Sequence, residues 1–343
     1  MIFRRPLNLR RPHTPITPHV SKQRFRKLAS MTCCVAALCD DGKTLILIAD
    51  KMIGNWAIES EFNITKIRQI DDTWWLLFAG EDIAPVFDII DSMKELIAEK
   101  LRNHRPPIID KKAIPIHIIC DALRESYEAK RLADAVALHL GPIGWTLDDF
   151  NVTGHVSLPD FLEIKGKIAS HSLQIQLLIG GFSGAQGYVV VLSPDDYGAI
   201  PKRCDVPGFG SIGSGSSGAL YMLYYRELSY KTPARKALYY AMEAKLFGEQ
   251  SPGVGESTDA FVVTADGKFI TLNEDETVEK KLVKVWEGLK PRWIARGAAE
   301  ILNSISELDG FTLIEKDEEG KPFPPPKPKR SPPTPAEGDH GQS

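Results

Sequence analysis

The chain has 343 residues, 43% of them hydrophobic and 25% charged, the balance of a globular protein with room for one large domain or two. Net charge is −3, and because residues 1–30 hold eight Lys/Arg and no Asp/Glu, the remainder carries −11, which argues against nucleic acid as its main partner. The longest apolar runs, such as Leu45 to Ala49, fall far short of the ~20 residues that a membrane-crossing helix needs, so neither a transmembrane segment nor a membrane partner is expected.

Residues 1–31 form a basic extension with four prolines and no apolar run of secretory length. A wrongly assigned start, a pro-segment or a transit-like peptide would each account for it, and Met31-Thr32, a pair from which an initiator methionine is readily trimmed, favours the first. Once Met31 is gone, Thr32 carries a hydroxyl nucleophile and an amine base on one residue, one of the few ways to activate a hydroxyl without histidine.

Residues 32–39 and 44–49 read as strands of a hairpin around Asp41-Gly42, and 62–70 with 73–79 as a second pair around Asp71-Asp72. Ile83, Val86, Phe87, Ile90, Met93, Ile97 and Leu101 then recur at helical spacing, with Pro85 tolerable in the first turn. A second helix spans about 116–138. Residues 139–172 are richer in Gly, Pro and polar residues and read as an insertion or irregular excursion. Strands resume at 173–179 and 188–192, separated by the turn-like Gly180 to Gly184. Helices over about 216–229 and 233–247 follow, then a hairpin of 260–264 and 268–271 turning at Ala265-Asp266-Gly267. From Lys321 to Ser343 there are eight prolines in 23 residues, too little apolar surface to fold. Strands and helix pairs thus come in blocks, which suits an α+β protein: two antiparallel sheets face to face between helix pairs, a four-layer αββα sandwich over 32–305 with a disordered tail over 306–343.

Five cysteines without a C-x-x-C pair fit neither a disulfide framework nor a zinc site and suit a reducing, cytoplasmic setting. Gly213-Ser-Gly-Ser-Ser-Gly218 matches G-x-G-x-x-G, but a second helix follows where a dinucleotide fold needs a strand. No Walker motif or H-E-x-x-H occurs, and no metal or cofactor is expected.

The element order, taken with Thr32-x-x-Val35, Asp41-Gly42, Ala49-Asp50, Thr65-Lys66-Ile67, Phe78-Ala-Gly80, Gly213-Ser-Gly215 and Asp266-Gly267, resembles the proteasome-type N-terminal nucleophile hydrolases. Met-Thr at the head is more similar to the bacterial HslV and Anbu-type members than to proteasome β subunits. The resemblance spans about 32–275 and implies a threonine peptidase. Thr32 Oγ would attack the peptide carbonyl while its α-amine, ordinarily with a pKa of about 8, takes the proton. The Lys66 ammonium would disfavour a second positive charge on that amine, Asp50 would hold Lys66, and Ser214 would position amine and water. The Gly80 N–H would stabilise the oxyanion, and Phe78 would limit the depth of the substrate pocket. Three positions depart from the family: Ser251 and Val254 stand where an aspartate and a serine are usual, and Lys51 follows Asp50 where a small residue or arginine is common. The resemblance also implies a protein or peptide substrate, a homo-oligomeric ring and an ATP-dependent unfoldase as partner. Two other functions remain open: a non-catalytic ring protein, if residues 1–31 stay attached, and an amidohydrolase using the same chemistry on a small amide.

Overall fold

A computed structural model describes residues 32–55, 58–61, 65–80, 82–105, 113–152, 157–193, 199–251 and 254–272, and Lys284. The chain divides into two compact units, residues 1–279 and 280–343. Every strand and helix treated below belongs to the first. The N-terminal extension, the segment 273–305 apart from Lys284, and the proline-rich tail lie outside the described residues.

The first hairpin joins β1 (Cys34–Cys39) to β2 (Thr44–Asp50) in unbroken register from Cys34–Ala49 to Cys39–Thr44. Its turn needs three successive left-handed residues, Asp40, Asp41 and Gly42 at φ 51°, 55° and 75°. Aspartate is among the few side-chain-bearing residues that tolerate this region. A short ribbon of β3 (Met52–Asn55) and β4 (Ile58–Glu61), which the sequence did not announce, follows directly. Next comes β5 (Ile67–Asp71), which starts later than the predicted 62–70, residues 62–64 lying outside the described ones. Then follow β6 (Trp74–Gly80), α1 (Ala84–Asn103) and α2 (Ile116–His139), close to the predicted bounds.

Within 139–172 the irregular excursion proves helical: a 3-10 turn at Gly141–Ile143, then α3 (Leu147–Val152) and α4 (Leu158–Ser170). Ser157 caps α4 by accepting from the Asp160 N–H, and Ala135, Leu140, Phe150 and Ile168 close a small apolar cluster against α2. Local capping and this satellite core outweigh the scattered Gly and Pro. β7 (Ile175–Ser183) and β8 (Gln186–Leu192) pair over seven residues, so Gly180 and Gly181 are strand, not turn. The reason is steric: a Cβ on Gly181 would lie 2.4 Å from the Trp74 ring, and one on Gly180 would lie 2.9 Å from Leu45. Here glycine admits large neighbours from β6 and β2. The remaining elements are β9 (Lys202–Arg203), β10 (Phe209–Ile212), α5 (Ser216–Tyr225), α6 (Ala234–Gly248), β11 (Thr258–Thr264) and β12 (Phe269–Thr271).

The strands form two antiparallel five-stranded sheets, β10-β1-β2-β11-β12 and β5-β6-β7-β8-β9. Strand alternation sorts their side chains. Leu77 and Ala79 of β6 join Ala36, Leu38, Leu45 and Leu47 of the first sheet in one buried cluster. Trp74, Leu76 and Phe78, on the opposite face of β6, pack against α1 and α2 in a second. Ile89 takes an inward position on α1, whereas Phe87, predicted to face the core, sits at its margin 39% exposed. Helix α6 rests on β1 and β2, and its first N–H, at Ala234, donates to Asp40 Oδ1 at 2.9 Å. The turn of the first hairpin thereby caps a helix far along the chain. No helix among the described residues is long and apolar enough to cross a membrane.

Candidate active site

Four predicted residues meet at one end of the first sheet. Thr32 immediately precedes β1, Asp50 ends β2, Lys66 precedes β5, and Ser214 lies between β10 and α5. All three members of the central trio are buried: Thr32 is 3% exposed, Lys66 1% and Asp50 0%. The Lys66 ammonium donates to Thr32 Oγ1 at 2.6 Å and to both Asp50 oxygens at 3.1 and 3.0 Å. Its three donors are thus engaged, which is what a buried ammonium requires.

Asp50 is equally satisfied. Oδ1 also accepts from the Cys33 N–H at 2.9 Å, and Oδ2 accepts from the N–H groups of Met52 at 3.1 Å and Gly255 at 3.3 Å. A buried carboxylate survives only with such partners, and here they fix its orientation relative to Lys66. Hairpin register supplies the alignment: Cys34 pairs with Ala49, so the chain just before β1 lies beside the end of β2.

Ser214 closes the other side. The Thr32 N–H donates to Ser214 Oγ at 3.4 Å, and the Gly215 N–H donates to the Thr32 carbonyl at 3.1 Å. Gly213 is forced: it adopts φ +93°, and a Cβ there would lie 2.1 Å from the Thr32 carbonyl oxygen. Its N–H donates to Gln176 Oε1 at 2.7 Å, tying this loop to β7 of the other sheet. Glycine supplies both the left-handed conformation and the close approach.

Gly80 and Phe78 stand outside this hydrogen-bonded network among the described residues. Gly80 ends β6 opposite Ile175, where a Cβ would lie 2.7 Å from the Ile175 side chain. Phe78 is wholly buried in the cluster beneath α1, edge to face with Phe87 at 6.3 Å. Its carbonyl accepts from Cys34 Sγ at 3.5 Å, which links β6 to the strand that follows Thr32. Ser251 and Val254 both precede Gly255, and Lys51 pairs with Asp259 at 3.2 Å.

The neighbouring thiols are not poised to react. Burial, with Asp50 adding to it, pushes Cys33 up to about 12, and burial raises Cys34 as well, so both stay protonated at neutral pH. All five cysteines are free, and no group of three His, Cys, Asp or Glu among the described residues could hold a metal. The sequence did not reveal Gln176 or the Gly255 N–H, because main-chain donors and a lone glutamine carry no spacing signal.

A hydroxyl held by an ammonium that is itself held by a carboxylate can be attacked from, deprotonated and stabilised as an alkoxide. No protein-family model matches the chain, and no curated protein does. Among solved structures it is similar to the Gly−1 mutant of Anbu from Hyphomicrobium sp. strain MC1, with a TM-score of 0.50 and 13% identity over 81% of this chain and 99% of that one. At that identity the likeness concerns the fold, which is broadly proteasome-like.

Proposed function

We propose that this chain is a threonine-type endopeptidase of the N-terminal nucleophile class, built as a four-layer αββα sandwich and exposing Thr32 after loss of Met31. One observation carries the reading: Lys66 Nζ lies 2.6 Å from Thr32 Oγ1 while Asp50 grips the same ammonium from both carboxylate oxygens. The fold likeness supports the class, and the clusters on either face of β6 support the layering.

In the reaction, the free Thr32 amine takes the hydroxyl proton as Oγ attacks the scissile carbonyl. Lys66 stabilises the negative charge on Oγ, and the Gly80 N–H stabilises the oxyanion of the tetrahedral intermediate. The amine then passes its proton to the departing amine of the substrate, leaving an ester on Thr32. Water, deprotonated by the same amine and positioned with Ser214, hydrolyses that ester and regenerates the hydroxyl. The protease works as a homo-oligomer enclosing its sites, in a cytoplasmic setting, with unfolded protein delivered by an ATP-dependent unfoldase.

Thr32→Ala tests this directly. The expected result is loss of peptide cleavage with unchanged far-UV circular dichroism and unchanged assembly in light scattering, since the substitution removes one hydroxyl and one methyl while Lys66 keeps both Asp50 oxygens. Undiminished turnover in that variant refutes the assignment. Hydrolysis of small acyl amides by the wild type without cleavage of peptides would move the substrate class to small amides.

A further inference from the structure

Helix α6 carries a second buried lysine that the reaction above does not use. Lys245 is 0% exposed, and its ammonium donates to the Gly255 carbonyl at 3.0 Å, to the Glu256 carbonyl at 2.9 Å and to the Glu249 carboxylate one turn along the helix. Taking an ammonium out of water is costly, and the return here is two carbonyls of one loop gripped by one cation. That loop lies beside the site. Gly255 offers its carbonyl to Lys245 and its N–H to Asp50 Oδ2, so a single residue joins the two buried lysines through the carboxylate between them. Packing keeps the arrangement tight: a Cβ on Gly248, at the end of α6, would lie 2.7 Å from Cys33 Sγ, next to the nucleophile.

We infer that Lys245 is a positioning residue for the threonine nucleophile: it fixes the Gly255–Glu256 loop so that the Gly255 N–H stays on Asp50, which in turn orients Lys66 against Thr32 Oγ1. The inference rests on the peptidase reading for its kinetic consequence, while its structural claim stands independently. Without the ammonium, the loop carbonyls lose their shared donor, and Asp50 loses its grip on one N–H. A less neutralised Asp50 then favours positive charge nearby, including on the Thr32 amine, which must be uncharged to act as base.

The test is Lys245→Met, with Lys245→Gln alongside, since glutamine keeps one donor without the charge and covers the case in which methionine prevents folding. Three measurements are made on each folded variant: peptide kinetics, the pH profile of kcat/KM, and hydrogen exchange at the Gly255 amide. Expected are a fall in kcat of about tenfold to a hundredfold, the scale of a small misplacement of reacting groups, with KM little changed. The acid limb of kcat/KM moves to higher pH and the Gly255 amide exchanges faster. A folded variant with wild-type kcat, the wild-type acid limb and unchanged exchange at Gly255 overturns the inference. If the wild type itself cleaves no peptide, the peptidase reading fails, and the exchange at Gly255 alone decides whether Lys245 holds the loop.

Discussion

Asp50 does more than neutralise Lys66. It gathers an ammonium and three main-chain N–H groups, from Cys33, Met52 and Gly255, so it organises the backbone around Thr32 as well as the charge. Both members of the pair are buried, and removing one leaves the other without compensation, at a cost of about 3–5 kcal/mol. Lys66→Met is therefore expected to lower the urea midpoint sharply and to abolish cleavage. In an Asp50→Asn background the same substitution should cost less, because the carboxamide leaves no charge stranded. The double-mutant cycle in urea checks this, and additive effects would show that the two groups are not coupled. Cys33 and Cys34 offer no competing nucleophile, since burial holds both thiols protonated.

At the scale of elements, the site is an outcome of strand register. β1 and β2 pair without slippage, which sets Thr32 beside Asp50, and β10 pairs with β1 so that Gly213-Ser214 arrives on the other side. The close pairing of β6 with β7 depends on Gly181, where a Cβ would lie 2.5 Å from the Thr73 carbonyl as well as against Trp74. Overfilling such a position typically costs about 1–3 kcal/mol. Gly181→Ala is expected to lower the denaturation midpoint by that order and to reduce cleavage indirectly, through the β6–β7 pairing that ends at Gly80. An unchanged midpoint in the variant would mean that Trp74 can move aside.

The same elements show what was legible in the sequence. Hairpins at Asp41-Gly42 and Asp266-Gly267 and the amphipathic α1 and α2 follow from turn chemistry and periodicity, and the structure keeps them within a few residues. Gly180 and Gly181 misled because a strand glycine that makes room for tryptophan looks, in one dimension, like a turn. The helices within 139–172 were hidden because their stability comes from a cap at Ser157 and a four-residue cluster rather than from a long apolar stripe. The meeting of Thr32, Asp50, Lys66 and Ser214 was foreshadowed by the family resemblance that their order and spacing carry, not by any one residue's pattern. The bonds from Gly255 and Gln176 were not, because they depend on how loops from different sheets lie against one another.

For the molecule as a whole, everything turns on the start of the working chain. The buried lysine, its carboxylate and the glycine-bounded loop are arranged around a threonine whose own amine is the only base that the mechanism provides. While residues 1–31 remain joined, that nitrogen is an amide and cannot take a proton. A compartmentalised assembly would confine the exposed threonine, but confinement is irrelevant unless the amine is free. The measurement that decides the matter is the intact mass of the catalytically active protein, with N-terminal sequencing of the same sample. The account predicts a chain beginning at Thr32; full peptidase activity in a sample whose every chain still begins upstream of Thr32 would contradict it.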